Sequence, residues 1–135
     1  MAFPIEKKLV VGVSSNALFN LQTEHEIFDK KGIIEYRKYQ KENKLVVLKK
    51  GPAFPFIKRF LEINKHYPEE QPVEVVLLSK NSPETGIRIF NSIKHFELDI
   101  SRAAFTSGKS PFEYIPAYNI SLFLSTSDID VQNSI

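Results

Sequence analysis

The sequence predicts an α/β domain built on a mainly parallel sheet, and three observations predict it. Val73 to Leu78 reads VEVVLL, a nearly all-apolar run of strand length that suits a parallel strand buried on both faces. Lys8 to Val13 carries a second β-rich run, Leu9, Val10, Val11 and Val13, stopped by Ser14 and Ser15. Between and after these runs the apolar residues change to helical spacing, so strands and helices alternate in the order of right-handed crossover units.

The first strand reads as a central one. From Thr23 to about Asn43, the residues Ile27, Phe28, Ile33, Ile34, Tyr36 and Tyr39 recur at helical spacings among charged residues, with Gly32 as a joint between two amphipathic helices. Leu45 to Leu48 is a short apolar segment that Gly51-Pro52 closes. The next helix is expected to turn Phe54, Ile57, Phe60, Leu61 and Ile63 inward and Lys58, Arg59 and Glu62 outward. A polar, proline-bearing loop from His66 to Pro72 then leads into the VEVVLL strand. A helix from Pro83 to about Phe96 follows, with Ile87, Phe90 and Ile93 expected inward. Ala103 to Thr106 and Ile120 to Leu124 read as two further short strands. Between them lie a helix start at Ser110-Pro111 and a Phe112, Tyr114, Ile115 segment that Pro116 cuts short. Asp128 to Ile135 reads as the first turns of another helix.

Composition narrows the function classes. A chain of 135 residues with 42% hydrophobic and 25% charged residues is expected to form one globular domain over 1–135. With no cysteine there is no thiol nucleophile, thiolate metal site or disulfide, which suits a reducing compartment, and the cytoplasm is expected. Lys+Arg 18 against Asp+Glu 16 gives a net charge of +2 with interspersed signs, so no nucleic-acid partner is implied. The apolar stretch near the start is too short to span a bilayer, and no membrane association is expected.

Ligands of open α/β sheets bind beyond the carboxyl ends of the strands. Here those ends read Ser14-Ser15-Asn16, Ser79-Lys80-Asn81-Ser82, Thr106-Ser107-Gly108-Lys109-Ser110 and Ser125-Thr126-Ser127. Ser14, Ser15, Ser79, Asn81 and Lys109 are the candidate phosphate- or nucleotide-binding residues, as hydroxyls, an amide and one cation converging on an anion. The Ser82-Pro83 and Ser110-Pro111 helix starts add unpaired N–H groups that favour an anion, although ordinary capping explains both without a ligand. Gly108-Lys109-Ser110 is no Walker A loop, because its first glycine would fall at Arg102-Ala103. His25, His66 and His95 lie in different segments without metal-ligand spacing and read as surface histidines. Asp128 and Asp130 read as helix-start acids rather than as a catalytic pair.

The strand-end phrases VSSNALF, GPAFPFIK, VEVVLLSKNSPETGIRIFNSI, LDISRAAFTSGKSP and LFLSTSDIDVQ resemble the amino-terminal half of cytosolic type I 5'-nucleotidases, in the same order and over nearly the whole chain. That family is similar to the haloacid dehalogenase-like phosphohydrolases. The resemblance implies a Rossmann-like three-layer α/β sandwich, Mg²⁺ dependence, and hydrolysis of nucleoside 5'-monophosphates such as AMP or IMP to nucleoside and phosphate. In that superfamily an Asp-x-Asp ending the first strand supplies the nucleophile and the acid/base, where this chain has Val13-Ser14-Ser15-Asn16. Ser79 matches the hydroxyl residue ending the second core strand, and Lys109 best matches the charge-balancing lysine. The acidic pair that holds Mg²⁺ would fall near Leu124-Ser125, where no carboxylate stands. The resemblance is therefore to a non-catalytic copy, with no catalytic or metal-ligating residue in this chain and Mg²⁺ implied by the family alone. Asn16 and Asn20 depart from the family's VSSRALFD, and Pro116 interrupts a helix that the family continues. Two other readings stand beside it: a free-standing phosphate- or nucleotide-binding module, and a structural partner domain that self-associates or docks to a carboxy-terminal half.

Overall fold

Side chains branched at Cβ are stiff and fill a pleated surface, and the two richest such runs of the chain become the two central strands. The computed structural model describes residues 8–81, 83–100, 102–106, 109, 113–127 and 132. In chain order it contains β1 (Leu9–Ser14), α1 (Ser15–Leu18), β2 (Phe19–Asn20), α2 (Gln22–Glu42), β3 (Lys49–Lys50), α3 (Phe54–His66), β4 (Val73–Ser79), α4 (Pro83–His95), β5 (Arg102–Phe105), α5 (Tyr114–Ala117) and β6 (Leu122–Leu124). The main sheet has four strands in the order β5-β4-β1-β6, and every neighbouring pair is parallel. This is the α/β class with a parallel sheet flanked by helices, consistent with a Rossmann-like haloacid dehalogenase fold, and β1 is central as expected. β1 and β4 pair from Leu9 opposite Val73 to Ser14 opposite Leu78, so their carboxyl ends stop at one level.

Alternation along the strands divides the core in two. Val11, Val13, Val75 and Leu77 point toward Phe19, Phe54, Ile57 and Ile89 in the larger cluster. Val10, Val76 and Leu78 point the other way, against Ile115, Tyr118, Ile120 and Phe123. Each such side chain taken from water contributes about 1.5–3 kcal/mol, which is why β1 and β4 read as unbroken apolar runs.

The helices correct the expected faces. In α3, Phe54, Ile57 and Leu61 are buried as expected and Phe60 packs against them, whereas Ile63 stays exposed. In α4, Ile93 is buried, but Ile87 and Phe90 are 53% and 40% exposed, and Ile89 takes the inner position. Two apolar stripes lie side by side on this helix, and helical spacing fits both. The sheet selects the one through Ile89 and Ile93, while Phe90 turns edge-on to Phe105 with ring centroids 5.7 Å apart.

α2 is a helical hairpin. Gly32 sits at φ 84°, ψ −180°, a conformation essentially confined to glycine, and forms the expected joint. Glu24 and Gln40 would stand ~24 Å apart on a straight helix, yet both reach the same Arg88 nitrogen, at 2.6 and 3.3 Å. Phe28 and Tyr36 likewise meet edge-to-face across the fold, with centroids 5.6 Å apart. The residues this hairpin buries are Glu24 and Gln40, while Phe28, Ile33 and Ile34 are exposed and Ile27, Tyr36 and Tyr39 half-buried. The expected inward apolar face is thus overturned, because buried polar bonds to Arg88 set the orientation of the arms.

Three short elements had no counterpart in the sequence reading: α1, β2 and β3. Phe19 pairs with Lys50 and Asn20 with Lys49 in a two-residue antiparallel ribbon, a length too short for periodicity to register. β5 begins at Arg102 and β6 at Leu122, offset from the expected strands by one and two residues. α5 is a single turn that contains Pro116. Ser82, the Ser110-Pro111 helix start, and Asp128 and Asp130 lie outside the described residues.

Candidate functional site

Because β1, β4 and β5 are parallel neighbours, their last residues converge at one edge of the sheet. Ser15 and Ser79 are both buried there, and their hydroxyls lie 3.0 Å apart. Asn81 closes the group: its backbone N–H donates to Ser79 Oγ at 3.1 Å and its Nδ2 donates to Ser15 Oγ at 3.2 Å. From the α2 hairpin, Tyr36 donates its hydroxyl to Asn81 Oδ1 at 3.4 Å. The Ser79 carbonyl accepts the Thr106 N–H at 2.8 Å, which ties the end of β5 to the same cluster.

Three of the five expected site residues, Ser15, Ser79 and Asn81, are therefore brought together. Ser14 is not among them, since its Oγ accepts the Ala17 N–H at 3.2 Å and caps α1. Lys109 is exposed, with its backbone turned tightly onto Thr106. No hydrogen bond among the described residues joins its ammonium to the trio. Proton counting defines what the trio can do. One hydroxyl of the Ser15–Ser79 pair donates to the other, and both accept from Asn81, so one hydroxyl proton remains for an outside acceptor. Neither serine has a base among these partners, so neither is arranged as an activated nucleophile.

Beside the trio opens a cleft of about 540 Å³ between α1, the start of α2, the β3 turn and the segment after β6. Asn16, His25, Glu26, Asp29, Lys50 and Thr126 line it, and none of the five expected residues does. His25 Nε2 lies 2.9 Å from Asn16 Oδ1, which fixes the imidazole against the end of β1. Lys50 holds its ammonium 5.0 and 5.5 Å from the ring centroids of Phe54 and Phe96, a cation over two aromatic faces. Of this lining, Asn16, Gly51, Pro52 and Thr126 stood in the strand-end phrases. Lys50 and Asp29 carried no signal in the sequence, since it took a hairpin and a ribbon to bring them there.

A second cavity, about 430 Å³, lies against the buried Arg88–Glu24 pair. Arg88 donates to Glu24 Oε1 at 2.6 Å, to the Val46 carbonyl at 2.9 Å and to Gln40 Oε1 at 3.3 Å, and its guanidinium lies 5.6 Å from the Tyr39 centroid. A buried charge is tolerated when paired in this way. Periodicity could not have found it, because the partners sit on three segments besides α4.

The implied Mg²⁺ can be tested against these donors. Mg²⁺ takes near-octahedral oxygen shells anchored by one or two carboxylates. The strand-end trio offers neutral hydroxyls and an amide, and the carboxyl end of β6 offers Leu124, Ser125 and Thr126. No group of three or more His, Asp or Glu side chains converges among the described residues. The strand-end donors do not fit a resident Mg²⁺, and no chemical step is assigned through one.

The parallel sheet, with a helical hairpin after its central strand and the Ser15–Ser79–Asn81 trio at its carboxyl edge, defines a Rossmann-like α/β domain. A family model described as 5'-nucleotidase matches residues 1–135. The human protein cytosolic 5'-nucleotidase 1B is 36% identical over 132 residues, covering 94% of this chain. The chain belongs to the 5'-nucleotidase family. It spans 22% of the length of that curated relative. No solved structure matches it.

Proposed function

We propose that this chain is a non-catalytic, amino-terminal portion of a nucleoside 5'-monophosphate phosphohydrolase. In this reading it supplies scaffold and phosphate or nucleotide contacts, while Mg²⁺-dependent hydrolysis of AMP or IMP needs carboxylates from another part of a longer polypeptide. The observation that carries it is the Ser15–Ser79–Asn81 trio, which occupies the strand ends where a carboxylate nucleophile would have to stand. Its one uncommitted hydroxyl proton suits a phosphate oxygen, with Lys109 and Ser14 completing the proposed contacts from neighbouring strand ends. A cytoplasmic location agrees with the printed name of the human relative. No helix among the described residues is long and apolar enough to cross a membrane. A second reading, a structural partner module without nucleotide contact, is favoured by one fact: the trio already satisfies most of its own hydrogen bonds.

The test is phosphate release from AMP and IMP with Mg²⁺, using this chain at micromolar concentration. Release at the level of a heat-killed control is expected, and turnover clearly above it overturns the non-catalytic assignment. Titration with AMP, IMP and inorganic phosphate then separates the two readings. Binding that weakens in Ser79→Ala/Lys109→Ala supports the contact site, and absence of binding favours the structural module.

A further inference from the structure

The Arg88 guanidinium is only partly engaged by the protein. Nε donates to the Val46 carbonyl at 2.9 Å, and Nη1 donates to Glu24 Oε1 at 2.6 Å and to Gln40 Oε1 at 3.3 Å. Nη2 can only donate, and it meets no acceptor among the described residues. The residue is 5% exposed, yet among the described residues only Arg102 has sealed side-chain nitrogens without a partner. Nη2 of Arg88 therefore reaches open space, and the space that Arg88 lines is the cavity of about 430 Å³. A buried charged donor aimed into a cavity calls for an acceptor there, because charge-assisted hydrogen bonds are roughly twice as strong as neutral ones.

The rest of the lining selects the kind of acceptor. Two cations, Lys49 and Arg88, stand against two carboxylates, Glu24 and Glu26, so the formal charge of the cavity balances. An anion drawn to Arg88 would also face those carboxylates, and like charges brought together oppose binding. A neutral carbonyl accepts from Nη2 without that conflict. Asn20 and Gln22 add amide groups, and Tyr39, whose ring centroid lies 5.6 Å from the guanidinium, adds an aromatic wall. A planar ring with a carbonyl and further polar edge atoms matches these groups, and the cavity falls within the roughly 300–1,000 Å³ typical of small-molecule sites. We propose that this cavity binds the base of a nucleoside, with Arg88 Nη2 donating to a ring carbonyl such as that of hypoxanthine, an acceptor that arginine pairs with in other settings. The proposal rests on the reading that this chain contacts nucleotides, and it sets the base against Arg88 rather than at the Ser15–Ser79–Asn81 trio.

The test is calorimetric titration of the 135-residue chain with inosine, adenosine and ribose 5-phosphate. Inosine is expected to bind, and adenosine about tenfold more weakly, since an amino group replaces the carbonyl that accepts from Nη2. Ribose 5-phosphate should not compete. Thr23→Trp, at an exposed lining position outside the Arg88 hydrogen bonds, should fill the cavity and abolish inosine binding with far-UV circular dichroism unchanged. Arg88→Lys keeps a cation beside Glu24 but removes Nη2, so the preference for inosine over adenosine should disappear. In Ser79→Ala/Lys109→Ala inosine binding should persist, which separates a failure at the strand ends from a failure in this cavity. Absence of inosine binding overturns the proposal, as does binding that survives Thr23→Trp or is lost in Ser79→Ala/Lys109→Ala. Equal affinity for adenosine overturns the carbonyl contact, and competition by ribose 5-phosphate overturns base recognition in favour of an oxyanion site.

Discussion

Arg88 joins four groups with one guanidinium: Glu24, Gln40, the Val46 carbonyl and the Tyr39 ring. The side chains of Arg88 and Glu24 are each only 6% exposed, so removing one leaves the other charge buried without its partner. Arg88→Met is accordingly expected to cost about 3–5 kcal/mol, read as a fall in the urea midpoint. The double variant Arg88→Met/Glu24→Leu should recover much of that loss, and a double variant as unstable as the sum of its singles would show that the pair is not coupled. Gly51 illustrates a different constraint. A Cβ there would lie 2.5 Å from the Ala17 carbonyl oxygen and 2.8 Å from the Leu18 and Phe19 backbone, none of which can rotate away. Gly51→Ala should therefore destabilise by about 1–3 kcal/mol, measured by the same denaturation, with the β2–β3 ribbon displaced. At this scale the sequence was partly legible. Ser15, Ser79 and Asn81 were recognised from their place after apolar runs, whereas Arg88 and Glu24 carried no signal, because nothing local marks a buried ion pair.

α2 shows how one residue decides an element. A continuous helix from Gln22 to Glu42 would carry its arms in opposite directions, and the Gly32 backbone instead folds them together. No heavy atom lies within 4 Å of a Cβ built at Gly32, so Gly32→Ala meets no steric obstacle and pays only for its backbone conformation, about 1–3 kcal/mol. The expected result is a lower thermal midpoint with helical content kept or raised as the arms straighten. Unchanged stability would mean that the Arg88 link tolerates a straight helix. The joint was readable because glycine between two periodic runs is a strong local signal. Which face each arm buries was not, since periodicity reports an apolar stripe and not the surface that meets it. The offset stripes of α4, with Ile89 inward and Ile87 outward, teach the same lesson.

The described residues amount to a parallel sheet with a polar carboxyl edge and an outward-facing hairpin, within a family whose curated human relative is far longer than this chain. A cation that bound only the folded state would raise its stability by RT ln(1 + [L]/Kd), about 2.7 kcal/mol at a hundredfold excess over Kd. The neutral trio and the described Ser125, Thr126 and Ser127 after β6, none of them a carboxylate, predict that millimolar Mg²⁺ leaves the Tm of this chain unchanged, as read by differential scanning calorimetry. A clear rise would reveal a carboxylate site that the strand ends do not supply. The sequence by itself determined the α/β class, the two central strands, the joint at Gly32 and the family, because these reside in local runs such as Val73–Ser79 and in ordered phrases. Only the tertiary structure decided that Ser14 caps a helix while Ser15 joins Ser79, that the cleft is lined by Lys50 and Asp29, and that Glu24 and Gln40 are buried in place of Ile33 and Ile34. Each of those outcomes depends on groups far apart along the chain, whose meeting is set by strand register and by a backbone turn.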